Sequence, residues 1–170
     1  MKLEIELTQS YLKQILHYDA ETGLFTWLVP NGKRVRKGDM AGCLHGGRVF
    51  IRINKVLYVA HRLAWLYVHG YLPSVDIDHC DGIASHNWLS NLREATRSQN
   101  MQNQRRAQKG SASGLLGVYP SFNKWIAKIS VDGQSQHLGT FPTPELAHAA
   151  YLKAKSILHP FQTLTCETRT

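Results

Sequence analysis

DIDHCDGIASHNWLSNLREATRSQN, residues 76–100, packs an Asp-His pair, a second histidine, a cysteine and three asparagines into one polar run. Such a run can be a turn-rich loop, a metal site, or a place where a bond is broken. VDIDH alternates β-branched residues with acids, the pattern of a strand. CDGIASHN is turn chemistry, and WLSNLREATRSQN carries Trp88, Leu89, Leu92 and Ala95 at helical intervals. The expected unit is a hairpin followed by a helix that folds back, so that Asp78 and Asn100 share one metal. The bland reading stands beside it. An isolated Asp-His pair is commonly a hydrogen-bonded structural pair, Asn87 and Asn91 suit turn and helix caps, Asp81-Gly82 suits a turn, and His86 and Cys80 read as bystanders.

Working outward, the upstream chain alternates short elements. LTQSYLKQILHY spaces Leu7, Tyr11, Leu12, Ile15 and Leu16 as a helix does, with Thr8 or Ser10 as its cap. DAETG is a turn and LFTWLV a short strand. NGKRVRKGD is a basic loop, and RVFIRI and VLYVAHRL read as hairpin strands turning near INK. AHRLAWLYVHG continues as a helix stopped by Gly70, which Pro73 prevents from restarting. Downstream, residues 102–114 contain no large apolar residue and read as a linker. GVYPS, KWIAKISV and QHLGTF follow as three short strands, with Asp132-Gly133 as a hairpin turn. TPELAHAAYLKAKSIL closes the chain as a helix with Thr143 as cap and Pro144 at its first position. Its apolar stripe is Leu146, Ala147, Ala150, Tyr151, Ala154 and Ile157.

The chain has 170 residues and a formal charge of +8. That length fits one domain or two small ones. The charge is clustered. Eight Lys/Arg face only Asp39 between Asn31 and Arg62, and seven face only Glu94 between Arg93 and Lys128. Basic surface around a few carboxylates (Asp76, Asp78, Asp81) suits a polyanion that must approach a metal; a solvated basic surface is the other reading. No apolar run reaches membrane-spanning length, and MKLEIELTQS lacks the apolar core of a signal peptide. Cys43, Cys80 and Cys166 form no C-x-x-C pair, which disfavours a cysteine-rich zinc module and fits a reduced, cytoplasmic setting.

The run DHCDGIASHNWLSNLREATRSQN resembles the HNH endonucleases of the phage and intron-encoded homing type, whose ββα-metal motif reads close to DHxDGxxxxNxxxNLRxxTxxxN. HRLAW (61–65) and YDAETGLFTW (18–27) look like segments that precede the motif in phage members, so the likeness extends from about Thr8 to Asn103. The resemblance implies an α+β fold and a metal-dependent endonuclease hydrolysing phosphodiester bonds of double-stranded DNA in a bacterial host's cytoplasm. His79 would take a proton from water, since an imidazole titrates near neutrality. Asp78 and the Asn100 amide oxygen are hard donors that suit one Mg²⁺ or Mn²⁺ better than Zn²⁺. Asn91 would hold the loop and so orient His79. Cutting both strands would call for two copies, a homodimer.

GLLGVYPSFNKWIAKISVDGQSQHLGTFPTPELAHAAYLKA resembles the AP2/ERF DNA-binding domain through Gly117-Val118, Trp125, Ala127, Ile129, Leu138-Gly139-Thr140-Phe141, Glu145, Ala147, Ala150 and Tyr151. That family lays a three-stranded sheet in the major groove, with a helix behind. The arginine usual after Gly-Val is Tyr119 here, and the strands carry Lys124 and Lys128, which favours phosphate contact and shape over guanine readout. The expected organisation is a nuclease domain over 1–103, a basic linker over 104–113 and an AP2-like domain over 114–170. The DNA-binding candidates are Arg62, Arg93, Arg97, Arg105, Arg106, Lys109, Tyr119, Lys124, Trp125 and Lys128. For Arg62, pairing with a carboxylate to fix the fold is the competing role; for Trp125 it is packing. A DNA-binding protein that keeps the ββα scaffold without catalysis is the alternative to the enzyme.

Overall fold

The structure, a computed structural model, describes residues 7–162. The chain divides into two compact units between Ala95 and Thr96. The division lies upstream of the basic stretch 104–113, which belongs to the second unit.

The first unit begins with helix α1 (Gln9–Ile15), whose cap Thr8 accepts the Tyr11 N–H. Strands β1 (Leu16–Tyr18), β2 (Phe25–Trp27) and β3 (Met40–Ala41) form one antiparallel sheet. Strands β4 (Cys43–His45), β5 (Arg48–Ile53) and β6 (Val56–Val59) form a second. The β5–β6 turn puts Asn54 and Lys55 at positive φ, as a two-residue hairpin turn requires. Helix α2 (Ala60–His69) starts directly after β6. The strand reading of VLYVAHRL therefore ran too far: from Ala60 the chain buries Ala60, Leu63, Ala64 and Leu66 on one helical face. Gly70 ends α2 in the left-handed conformation.

Strands β7 (Asp76–His79) and β8 (Leu92–Ala95) pair antiparallel, with Asp78 opposite Arg93 and His79 opposite Leu92. This corrects the helical reading of Trp88–Ala95. Leu89–Asn91 is a single 3₁₀ turn, and Leu92–Ala95 is extended because β7 offers it a ladder. Ile77 and Leu92 enter the first core beside Leu12, Leu16, Ile51 and Leu63. Full burial of each large aliphatic chain contributes roughly 2 kcal/mol, so the hairpin bearing the Asp-His pair is fixed to the body of the unit.

The second unit starts with helix α3 (Arg97–Gln102), capped by a reciprocal Thr96/Gln99 capping box. Strands β9 (Val118–Ser121), β10 (Lys124–Val131) and β11 (Gln134–Phe141) make a three-stranded antiparallel sheet with β10 central. Helix α4 (Pro144–Leu158) packs behind it, its cap Thr143 accepting the Leu146 N–H. Val118, Ala127, Ile129, Ala147 and Tyr151 are the core. The apolar stripe read for α4 is narrower than expected, because Leu146 and Ile157 are exposed.

Candidate active site

A loop of twelve residues joins β7 to β8, and Asn91 closes it. Its Oδ1 accepts the Asp81 N–H at 3.0 Å, while its Nδ2 donates to Asp81 Oδ1 at 3.0 Å and to the His86 carbonyl at 2.8 Å. The Asn91 carbonyl accepts the Cys80 N–H at 2.9 Å. One amide thus spans the loop, and it is 4 % exposed. Asp81 is a second knot. It accepts from the Ile83 N–H at 2.8 Å and sits 2.6 Å from His86 Nδ1. Burial alone would raise the Asp81 carboxyl, but the bonds from Ile83, His86 and Asn91 outweigh it and hold the group below its ordinary value.

The upstream segment braces the same loop. The Tyr18 hydroxyl donates to the Asn87 carbonyl at 2.6 Å, and the Leu89 N–H donates to the Ala20 carbonyl at 2.9 Å. Gly23 lies so close that a Cβ there would stand 2.3 Å from the Trp88 nitrogen.

His79 ends β7 at the mouth of this loop. Its Nε2 is 3.1 Å from Asn87 Oδ1. The Asn87 Nδ2 donates to the Ser85 carbonyl, so its oxygen faces the imidazole. An amide oxygen only accepts; Nε2 therefore carries the proton and Nδ1 the lone pair. Burial holds the His79 pKa below the ordinary histidine value, against the opposing pull of Asn87, Asp81 and Asp78. A neutral imidazole with its lone pair on Nδ1 is the protonation state a general base needs. Asn87 is the first asparagine of the HNH motif quoted above, but in sequence it reads as a turn or helix cap and not as a partner of His79.

The Asp78 carboxylate takes two hydrogen bonds on Oδ2, from Arg93 Nε at 3.1 Å and a terminal Arg93 nitrogen at 2.9 Å. The pair follows from the register, since the two residues face each other across β7–β8. Arg93, expected as a DNA contact, has a side chain 13 % exposed and paired with Asp78. Asp78 and His79 are themselves 5 % and 7 % exposed. Among the described residues no cluster of three or more His, Cys, Asp or Glu could hold a metal. The candidate donors are one carboxylate and one amide oxygen, with Asn100 on α3 in the second unit. Carboxylate and amide oxygens are hard donors, a type that suits Mg²⁺ or Mn²⁺ better than Zn²⁺.

Among the remaining basic candidates, Arg62 is half-buried on α2, and Arg105, Arg106 and Lys109 are exposed between α3 and β9. On β10, Lys124 and Lys128 alternate with Trp125, Ala127 and Ile129, so the lysines point away from the α4 face. Trp125 is partly buried and packs against the second core, the packing role weighed beside DNA contact. Tyr119 is 52 % exposed, with Lys128 Nζ 5.9 Å from its ring centroid. Arg97, Tyr119 and Lys128 line one groove of about 280 Å³ within the second unit.

No helix among the described residues is long and apolar enough to cross a membrane. No curated protein and no solved structure gives a significant match to the chain. Residues 58–102, from the end of β6 through α2, the β7–β8 hairpin and α3, match the family described as HNH endonuclease, which supports a nuclease domain acting on DNA.

Proposed function

We propose that the protein is a metal-dependent DNA endonuclease of phage or mobile-element type, with His79 as its general base. The observation that carries this reading is the His79–Asn87 contact in the matched segment, which leaves the basic lone pair on Nδ1. In the hydrolysis, a water oxygen forms a bond to phosphorus as the bond from phosphorus to the 3′-oxygen breaks. The water's proton goes to His79 Nδ1, and the departing 3′-oxygen takes a proton from solvent. Asn87 holds the ring and stabilises the imidazolium that forms. Asn91 fixes the loop that presents Asn87. A divalent ion held by Asp78 and Asn100, Mg²⁺ or Mn²⁺, would supply charge stabilisation at the leaving oxygen. Arg93 orients the Asp78 carboxylate through the two hydrogen bonds on Oδ2.

The second unit is proposed as an AP2-like module that grips duplex DNA. The open face of its sheet, with Tyr119, Lys124 and Lys128, and the groove that Arg97 shares with two of them would contact phosphates. Exposed Arg105, Arg106 and Lys109 would add sequence-independent attraction. Double-strand cutting would take two copies of the chain.

A second reading, a DNA-binding protein without catalysis, is favoured by one observation: Asp78 and His79 are nearly buried, and Arg93 already occupies one Asp78 oxygen. Nicking of supercoiled plasmid separates the two. The enzyme reading expects Mg²⁺- or Mn²⁺-dependent nicking that His79→Ala abolishes while DNA binding persists. Binding without metal-dependent nicking by the wild-type chain supports the second reading.

A further inference from the structure

His79 is met by another imidazole. His61, in the first turn of α2, stands perpendicular to His79 with ring centroids 5.1 Å apart. Its Nδ1 is buried and has no hydrogen-bond partner among the described residues. Its Nε2 is not among the buried polar atoms that lack a partner. The two nitrogens therefore differ. A buried N–H without an acceptor is costlier than a buried lone pair without a donor, so the ring proton resides on Nε2, where it can be solvated. Burial, aided by the positive charges of Arg48 and Arg62, lowers the His61 pKa to about 3, so the ring is neutral at physiological pH. The two rings present different nitrogens: His79 turns Nε2 to Asn87 Oδ1, and His61 offers a proton at Nε2.

Resting on the endonuclease reading, we propose that His61 is a catalytic residue whose Nε2–H donates a hydrogen bond to a non-bridging oxygen of the scissile phosphodiester. A neutral donor suits this place. It binds the anionic oxygens and the charge that builds on them during attack, without setting a second cation against the imidazolium forming on His79. The sealed Nδ1 excludes the other nitrogen from contact with substrate.

The test compares three variants of the full chain, using single-turnover cleavage of plasmid with saturating Mn²⁺ and protein. In His61→Gln the side-chain amide can place an N–H near the position of Nε2. In His61→Asn the amide reaches only toward Nδ1. In His61→Phe the ring packing on His79 is kept and the donor is lost. The proposal expects Gln to cleave within about tenfold of wild type, and Phe and Asn to fall about 100-fold, the usual effect of removing one transition-state donor. DNA affinity, measured separately without metal, should change less than threefold in all three. Phe cleaving at the wild-type rate, or Gln falling as far as Phe, overturns the proposal; the second outcome would mean that the native ring itself is what matters. Failure of the underlying reading looks different, because the wild type would then show no metal-dependent cleavage at all.

Discussion

Replacing His61 by Gln removes one titrating group and tests its buried, neutral state through stability alone. The folded-state pKa is about 3, against an ordinary value of 6.5. Because the folded value is depressed for a base, the unfolded chain binds more protons between those two values. The neutral ring's contribution is thus complete above pH 6.5 and is progressively lost as pH falls toward 3. Between pH 7 and pH 4 the loss works out at about 3 kcal/mol. The assay is urea unfolding of wild type and His61→Gln at both pH values, followed by a probe of the first unit such as the fluorescence of its Trp27 and Trp65. The stability difference between the two proteins should shift in the variant's favour by about 3 kcal/mol on acidification. Other titrating groups largely cancel, since both proteins carry them. An unchanged difference between pH 7 and pH 4 would show that His61 is solvated, and would refute the tautomer argument built on its burial.

Other perturbations probe the frame of the site. Asn91→Ala removes three side-chain hydrogen bonds from a buried loop; unfolding free energy should fall by about 3 kcal/mol, with cleavage lost even where the chain stays folded. Arg93→Met leaves the Asp78 carboxylate without its cross-strand cation, and should cost about 3–5 kcal/mol. The double variant Asp78→Asn/Arg93→Met should recover part of that loss in thermal unfolding, and full additivity of the two single changes would show that the pair is not coupled. Gly23→Ala puts a Cβ 2.3 Å from the Trp88 backbone nitrogen, at a φ of +74°. Backbone cannot yield as a side-chain end can, so the 84–90 loop must shift; we expect a loss above about 2 kcal/mol and changed amide shifts at Asn87, and wild-type spectra would contradict the contact.

The local chemistry of capping and turns was readable from the residues. Thr8, Thr143 with Pro144, Gly70 and Asp132-Gly133 each occupy the position their side chains or φ angles suit. Leu92–Ala95 was not readable, because Leu92 and Ala95 are spaced three apart, which a helix face and this short strand satisfy alike. Pairing with β7 decides between them, and that is a long-range fact. The same holds for Arg93, whose charge is plain in the sequence but whose partner is set by strand register. At the site, spacing picked out Asp78, His79 and Asn91; the first two end β7, and Asn91 closes the loop that follows them. Asn87 and His61 fall within the motif and HRLAW segments, but what they face is set by the fold and not by those stretches.

The most direct test of the central claim is the chemistry of the cut. Plasmid nicked by the wild-type chain in Mg²⁺ or Mn²⁺ should carry 5′-phosphate and 3′-hydroxyl ends, with the rate falling at least about 100-fold in His79→Ala at unchanged DNA affinity. Ends of the opposite polarity, or a His79→Ala chain that cuts as fast as wild type, would contradict water activation by His79.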